Sequence, residues 1–183
     1  MSFLQNKRLD GGAEKKTGPL VAPLILALFL LALDQITKAA VVKHIRFGER
    51  IPVIPDFFNL THITNTGAAW GILAGHGWLL LLISFAVLIA VICFIQPLTD
   101  GWPERIYAIG LIVSGILGNS IDRIFRGEVV DFLQFLFGRY QYPSFNVADS
   151  CICVGVFLFI LSTILRPEKK NAGSDSSYVQ IQK

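Results

Sequence analysis

The sequence predicts an α-helical integral membrane protein: about four transmembrane helices, with a small extracytoplasmic β-sheet and an interfacial loop. Three observations carry this. The chain is 53% hydrophobic and only 16% charged, against about 25% charged in ordinary soluble domains. Its mean hydropathy is +0.58. Four apolar runs are each long enough to cross a hydrocarbon core, which takes about 20 helical residues.

Residues 1–17 are polar and carry Lys7, Arg8, Lys15 and Lys16, and read as a mobile cytoplasmic arm. The first apolar run, about Leu20–Val42, is too long for a signal peptide and contains Asp34 and Lys38. Trp78–Ile95 holds no charge and is expected to stop at Gln96-Pro97. Arg105–Ile121 is the third run, and Ala148–Leu165 the fourth, closed by Arg166-Pro167. Residues 167–183 form a polar tail. The organisation expected is thus an arm over 1–17, a membrane domain over 18–166 and a tail over 167–183.

Four spans place both termini on one side. The arm, the loop between the second and third runs and the tail hold nine Lys and Arg, whereas the other two connecting segments, which contain loops 43–77 and 124–147, hold six: Lys43, Arg46, Arg50, Arg123, Arg126 and Arg139. The positive-inside rule then puts the termini in the cytoplasm and the two long loops outside. In the first of these, Phe58, Leu60 and His62 alternate with Asn59, Thr61 and Ile63, the period of a strand. Ile51-Pro52-Val53-Ile54-Pro55 reads as an edge partner, since its prolines cannot complete a ladder. The second contains Val129-Val130-Asp131-Phe132-Leu133 and is expected to lie at the interface.

A net charge of +3, without a basic run interleaved with aromatics, excludes nucleic acid. Cys93, Cys151 and Cys153 sit in apolar runs and read as small buried hydrophobes. There is no H-E-x-x-H; His44, His62 and His76 are scattered through one loop, so neither a metal nor a cofactor is expected. No G-x-S-x-G elbow is present, and Ser114 reads as a packing residue.

Four acids lie in or beside apolar runs, where an aspartate costs roughly 2.5–3.5 kcal/mol. Asp34 and Lys38 are four apart on one helix face; mutual neutralisation and a site role are both open. Asp122 ends a period-four stripe of Gly110, Ser114 and Gly118, a spacing that lets helices approach closely. With Arg123 next to it, Asp122 reads mainly as a structural ion-pair node. Asp149 has a ready structural role: Asn146 would cap the fourth helix, with Asp149 as the acid of a capping box. Yet Asp131 must fold back to the same side, and neither acid has a basic partner in sequence. Adjacent acids at low dielectric do not both ionise easily, which is the chemistry of an aspartic protease. A proton-coupled transporter and a non-catalytic assembly factor are the rival readings. Four spans without an inverted repeat weigh against the transporter.

At these residues the chain resembles the bacterial lipoprotein signal peptidases, or signal peptidase II. Five blocks carry the likeness: Asp34-Gln-Ile-Thr-Lys38, Asn65-Thr-Gly-Ala-Ala-Trp-Gly71, Gly118-Asn-Ser-Ile-Asp-Arg123, Val129-Val-Asp-Phe132 and Phe145-Asn-Val-Ala-Asp149. The resemblance implies a monomeric aspartic endopeptidase of the inner membrane. It would act on diacylglyceryl-modified prolipoproteins, cut on the amino side of the lipidated cysteine, and be blocked by globomycin-type cyclic peptides. Its dyad would fall on Asp131 and Asp149. Its other site positions would fall on Asp34, Lys38, Asn65, Gly67, Asn119, Asp122, Arg123 and Asn146. Gly67, Ala68 and Ala69 would let a substrate backbone approach, although by themselves they read as an ordinary turn. The choice of these two acids as a dyad rests more on the resemblance than on spacing.

Overall fold

The computed structural model describes residues 20–166. The arm expected over 1–17 and the tail expected over 167–183 lie outside the described residues, as do Gly18 and Pro19. Among the described residues, four helices are long and apolar enough to cross a membrane: α1 (Val21–His44), α2 (Gly77–Thr99), α3 (Pro103–Phe125) and α4 (Val147–Leu165). Four strands form one antiparallel sheet in the order β1-β2-β3-β4: β1 (Arg50–Ile54), β2 (Phe58–Asn65), β3 (Val129–Phe137) and β4 (Tyr140–Gln141).

Helix α3 is the centre of the bundle and packs against the other three. Lipid provides no hydrophobic drive between helices, so close approach depends on small residues. A Cβ on Gly110 would sit 3.5 Å from the carbonyl oxygen of Pro23 in α1, and one on Gly118 would sit 2.6 Å from Asp34 Oδ2. The period-four stripe therefore faces α1, with Ser114 buried on it. The α3–α4 crossing rests instead on Gly115, whose Cβ would meet the Ala148 carbonyl, and on Gly155, whose Cβ would lie 2.7 Å from the Ala108 carbonyl. Helix α2 buries only Thr99, as a uniformly apolar helix facing lipid should.

Several helix ends lie beyond the expected ones, with α1 reaching His44 and α3 reaching Phe125, and two of the differences turn on proline. Helix α2 continues through Pro97 to Thr99. Pro97 lacks the N–H that would bond Cys93, and the strain appears as non-helical dihedrals at Phe94 (φ −113°, ψ 17°). The last turn still closes, because the N–H of Asp100, in the left-handed region, donates to the Gln96 carbonyl at 2.9 Å. Helix α3 starts at Pro103, earlier than Arg105, because proline at the first helical position has its φ preset and needs no N–H partner.

The sheet is larger than the predicted pair. β1 is an exposed edge, as Pro52 within it requires, and pairs with β2 from Arg50↔Thr61 to Ile54↔Phe58. Residues 129–137, expected as an interfacial loop, form the inner strand β3, paired with β2 from Phe58↔Phe135 to Asn65↔Val129. Backbone at an interface must satisfy its own polar groups, and β2 offered the ladder. Val130 and Phe132 pack with Val41 and Ile45 at the end of α1. This small core fastens the sheet to one end of the bundle. Polar side chains fill part of the sheet's interior: buried Asn59 donates to Gln134 Oε1 at 3.2 Å, and buried Thr61 to the Glu49 carbonyl at 2.8 Å.

Candidate active site

The site is assembled where β3 meets the start of α4. Asn146 caps α4: its Oδ1 accepts the Asp149 N–H at 2.9 Å, and Asp149 Oδ2 accepts the Asn146 N–H at 3.2 Å. The capping box read from the sequence is therefore present. The same Asn146 also donates from Nδ2 to Asp131 Oδ1 at 2.8 Å. One asparagine thus joins the two acids, one from a strand and one from a helix.

The remaining carboxylate oxygens are also held by amides. Asp131 Oδ2 accepts from Asn65 Nδ2 at 3.3 Å, and Asp149 Oδ1 accepts from Asn119 Nδ2 at 2.7 Å. All four oxygens accept one N–H each, and none of those donors carries a charge. Among the described residues neither acid forms an ion pair. Asp131 is 2% exposed, and its carboxyl is pushed up to about 7, first by burial and then by the charge of Asp149. The Asn65 and Asn146 bonds and the more distant Lys38 pull the other way.

Beneath this pair lies a buried ionic cluster. Lys38, fully buried, contacts Asp34 Oδ2 at 3.0 Å, Asp122 Oδ2 at 3.0 Å and Asn119 Oδ1 at 3.1 Å. The i, i+4 pairing of Asp34 with Lys38 is thus made. Asp34 Oδ1 also accepts the Ala148 N–H at 2.8 Å, tying α1 to the first turn of α4. Asp122 does not pair with Arg123, as the sequence suggested. Consecutive helical residues point in different directions, and Asp122 instead meets Lys38 and, at 3.4 Å, Arg126 one turn on. Its Oδ2 also accepts the Val130 N–H at 3.2 Å, which anchors the start of β3.

Arg123 turns towards the loop after β2 and donates from Nη2 to the Gly67 carbonyl at 3.0 Å. The Gly67 N–H in turn donates to Asn65 Oδ1 at 2.8 Å. Gly67 is needed there: a Cβ would lie 2.7 Å from the Ile72 carbonyl and 3.0 Å from the Ala74 nitrogen. A close approach of backbone is present, but to the loop's own chain. A cavity of about 510 Å³ beside Arg123, lined also by Gly75, Gly77, Trp78 and Leu81, does not include the two acids.

All ten residues singled out in the sequence lie in this one network. Two partners were overlooked. Arg126 is four residues past Asp122, a spacing that signals a pair. Gln35, which donates from Nε2 to Asp34 Oδ2 at 3.0 Å and to the Gly118 carbonyl at 3.2 Å, has no such signal. His62 is committed elsewhere, with Nδ1 at 2.8 Å from the Ile45 carbonyl.

Membrane-length helices with two amide-held acids at one end define a polytopic membrane protein with a polar site at the bundle mouth. Residues 26–165 match the family model for signal peptidase (SPase) II. The chain is 47% identical to the lipoprotein signal peptidase of Bacillus subtilis (strain 168) over 146 residues, 80% of this chain and 95% of that one. It is 43% identical to the lipoprotein signal peptidase of Bacillus pumilus (strain SAFR-032) over 147 residues, 79% and 94% of the two chains. A bacterial membrane enzyme solved by the in meso method at 2.3 Å superposes with a TM-score of 0.74 at 37% identity, covering 82% of this chain and 94% of that one. The chain belongs to the signal peptidase II family; it is a bacterial membrane hydrolase of the aspartic peptidase kind.

Proposed function

We propose that this enzyme removes signal peptides from diacylglyceryl-modified prolipoproteins, cutting on the amino side of the lipidated cysteine. Asp131 and Asp149 are its dyad. The carrying observation is that both acids are joined through Asn146 and held by neutral donors alone. Such a pair keeps one proton between its two members. The relatives' names, lipoprotein signal peptidase, supply the substrate class.

The surroundings support one division of roles. Asp149 accepts two N–H bonds at the positive end of α4, and both bonds and the helix dipole act in favour of its carboxylate against the cost of burial. Asp131, with its carboxyl near 7, carries the proton. Asp149 then takes a proton from water as the water oxygen attacks the scissile carbonyl, and Asp131 donates its proton to the carbonyl oxygen. Collapse of the tetrahedral intermediate breaks the C–N bond, and the departing nitrogen takes the proton from Asp149. The gem-diol proton returns to Asp131. The products are the signal peptide's carboxylate and the free amine of the lipidated cysteine.

The excess of Lys and Arg on the terminal side supports termini in the cytoplasm and a site facing outward from the inner membrane. The sheet is then extracytoplasmic. Exposed Trp70, edge-on to Tyr142, sits where interfacial aromatics are favoured. The enzyme is expected to act as a monomer, and a globomycin-type cyclic peptide should compete with substrate. The test is cleavage of a diacylglyceryl-modified prolipoprotein by purified protein. Asp131→Asn and Asp149→Asn should each abolish cleavage while thermal unfolding in micelles stays cooperative. Normal turnover by either variant would overturn the dyad.

A further inference from the structure

An asparagine side chain can face either way, presenting a donor or an acceptor, and three asparagines surround the two acids. Their orientation decides whether each carboxylate oxygen meets an N–H or a repelling oxygen. In two of them the choice is dictated by groups that can only donate. The Asp149 backbone N–H fixes Asn146, whose Oδ1 accepts it at 2.9 Å and whose Nδ2 is thereby turned to Asp131. The ammonium of Lys38 fixes Asn119. It has three protons and no lone pair, and Asn119 Oδ1 lies 3.1 Å from it, so Asn119 Nδ2 must face Asp149. Asn119 Oδ1 also accepts from Asn146 Nδ2 at 3.2 Å, which couples the two amides.

We infer that Lys38 is a positioning residue for the reaction: by fixing the direction of the Asn119 amide, it keeps an N–H on Asp149 and so keeps Asp149 available as the base. The inference rests on the dyad reading above. Lys38 touches neither acid. Its charge is met by Asp34 and Asp122 at 3.0 Å each, so what reaches Asp149 through Asn119 is direction rather than a full charge. Among the described residues, the charged groups that act on the dyad are Lys38 and Asp34 from α1 and Arg123 from α3. β2 contributes only the neutral Asn65.

The test compares pH–rate profiles for cleavage of a diacylglyceryl-modified prolipoprotein. Lys38→Met alone would strand two buried carboxylates, so it is paired with Asp34→Asn. Lys38 and Asp34 act on the charge of Asp149 with opposite signs, so removing them together offsets one against the other. Asp122 keeps Arg126 and the Val130 N–H. In the double variant only the Asn146 Nδ2 bond still opposes a turn of Asn119 that would put its oxygen on Asp149, a contact satisfied only when Asp149 is protonated. The acidic limb of the profile should therefore move up by about one pH unit, a loss of about tenfold in rate on the acid side. Lys38→Arg, which is still donor-only and charged, should leave the limb in place whatever its rate. A limb unmoved in the double variant, or moved in Lys38→Arg, overturns the inference. If the double variant does not unfold cooperatively in micelles, the Lys38→Arg profile decides. The Asp131→Asn and Asp149→Asn controls separate the cases: normal turnover there refutes the dyad itself, whereas inactive controls with an unmoved limb refute only the role of Lys38.

Discussion

If Asp131 holds its proton because it is buried, the folded protein should become more stable as the pH falls through neutrality. In the unfolded chain its carboxyl titrates near the ordinary 3.8; in the folded protein it titrates near 7. Between those values the folded state binds more protons than the unfolded one, so acidification favours folding. The gap of about three pH units corresponds to about 4 kcal/mol, fully present below 3.8 and lost as the pH rises through 7. At 2% exposure, solvent does little to reduce it. Between pH 8 and pH 5 the gain should be roughly 3 kcal/mol. For a chain of this length that is several degrees in Tm, at roughly 2–4 °C per kcal/mol.

The assay is thermal unfolding in micelles at pH 8, 7, 6 and 5, for the wild type and Asp131→Asn. Histidines and acids away from the site titrate alike in both proteins, so the difference between the two curves reports Asp131 together with its effect on Asp149. The asparagine adds a fixed offset: its oxygen can accept from Asn146 while its NH2 faces Asn65 Nδ2, a mismatch that does not depend on pH. The wild type should therefore gain roughly 3 kcal/mol on the variant from pH 8 to pH 5. Parallel curves would mean that Asp131 ionises like an ordinary surface acid, and the assignment of Asp131 as proton donor would fall.

Two further outcomes are expected from the packing. Gly155→Ala places a Cβ 2.7 Å from the Ala108 carbonyl and 3.0 Å from the Ile112 nitrogen, so α3 and α4 must part; stability should fall by about 1–3 kcal/mol in the same assay. Arg105, buried at the far end of α3, donates to Ser162 Oγ at 3.2 Å and to the Arg166 carbonyl at 2.9 Å. Arg105→Met should cost about 1–3 kcal/mol through those stranded acceptors, with cleavage per folded molecule unchanged.

Four spans could be read from the sequence because lipid exposure writes itself as unbroken apolar runs. The capping box at Asn146 and Asp149 could be read because both partners lie within one turn. The partners of Asp122 could not, since Lys38 lies on another helix and Val130 beyond a turn. The strand at 129–137 was hidden for a similar reason: Val129-Val-Asp-Phe-Leu is too apolar to alternate, and only β2 reveals it as a strand. Gly155 carries no periodic signal, because its requirement comes from the Ala108 carbonyl opposite.

The separation of charge from donors accounts for why so many polar groups are concentrated here. A cation bonded directly to Asp131 or Asp149 would hold that acid ionised and remove the proton the chemistry needs. Leaving the acids without donors would make both too costly to charge. Neutral amides avoid both outcomes, but amides can turn round, so something must hold them. In this protein an ammonium does so for Asn119, and the ammonium in turn needs counterions once it is buried. Lys38 with Arg126 balances Asp34 with Asp122, so the cluster as a whole is neutral. Asp34, Lys38 and Asp122 are then consequences of using asparagines beside a pair of acids, which is why removing any one should disturb the pair without touching it.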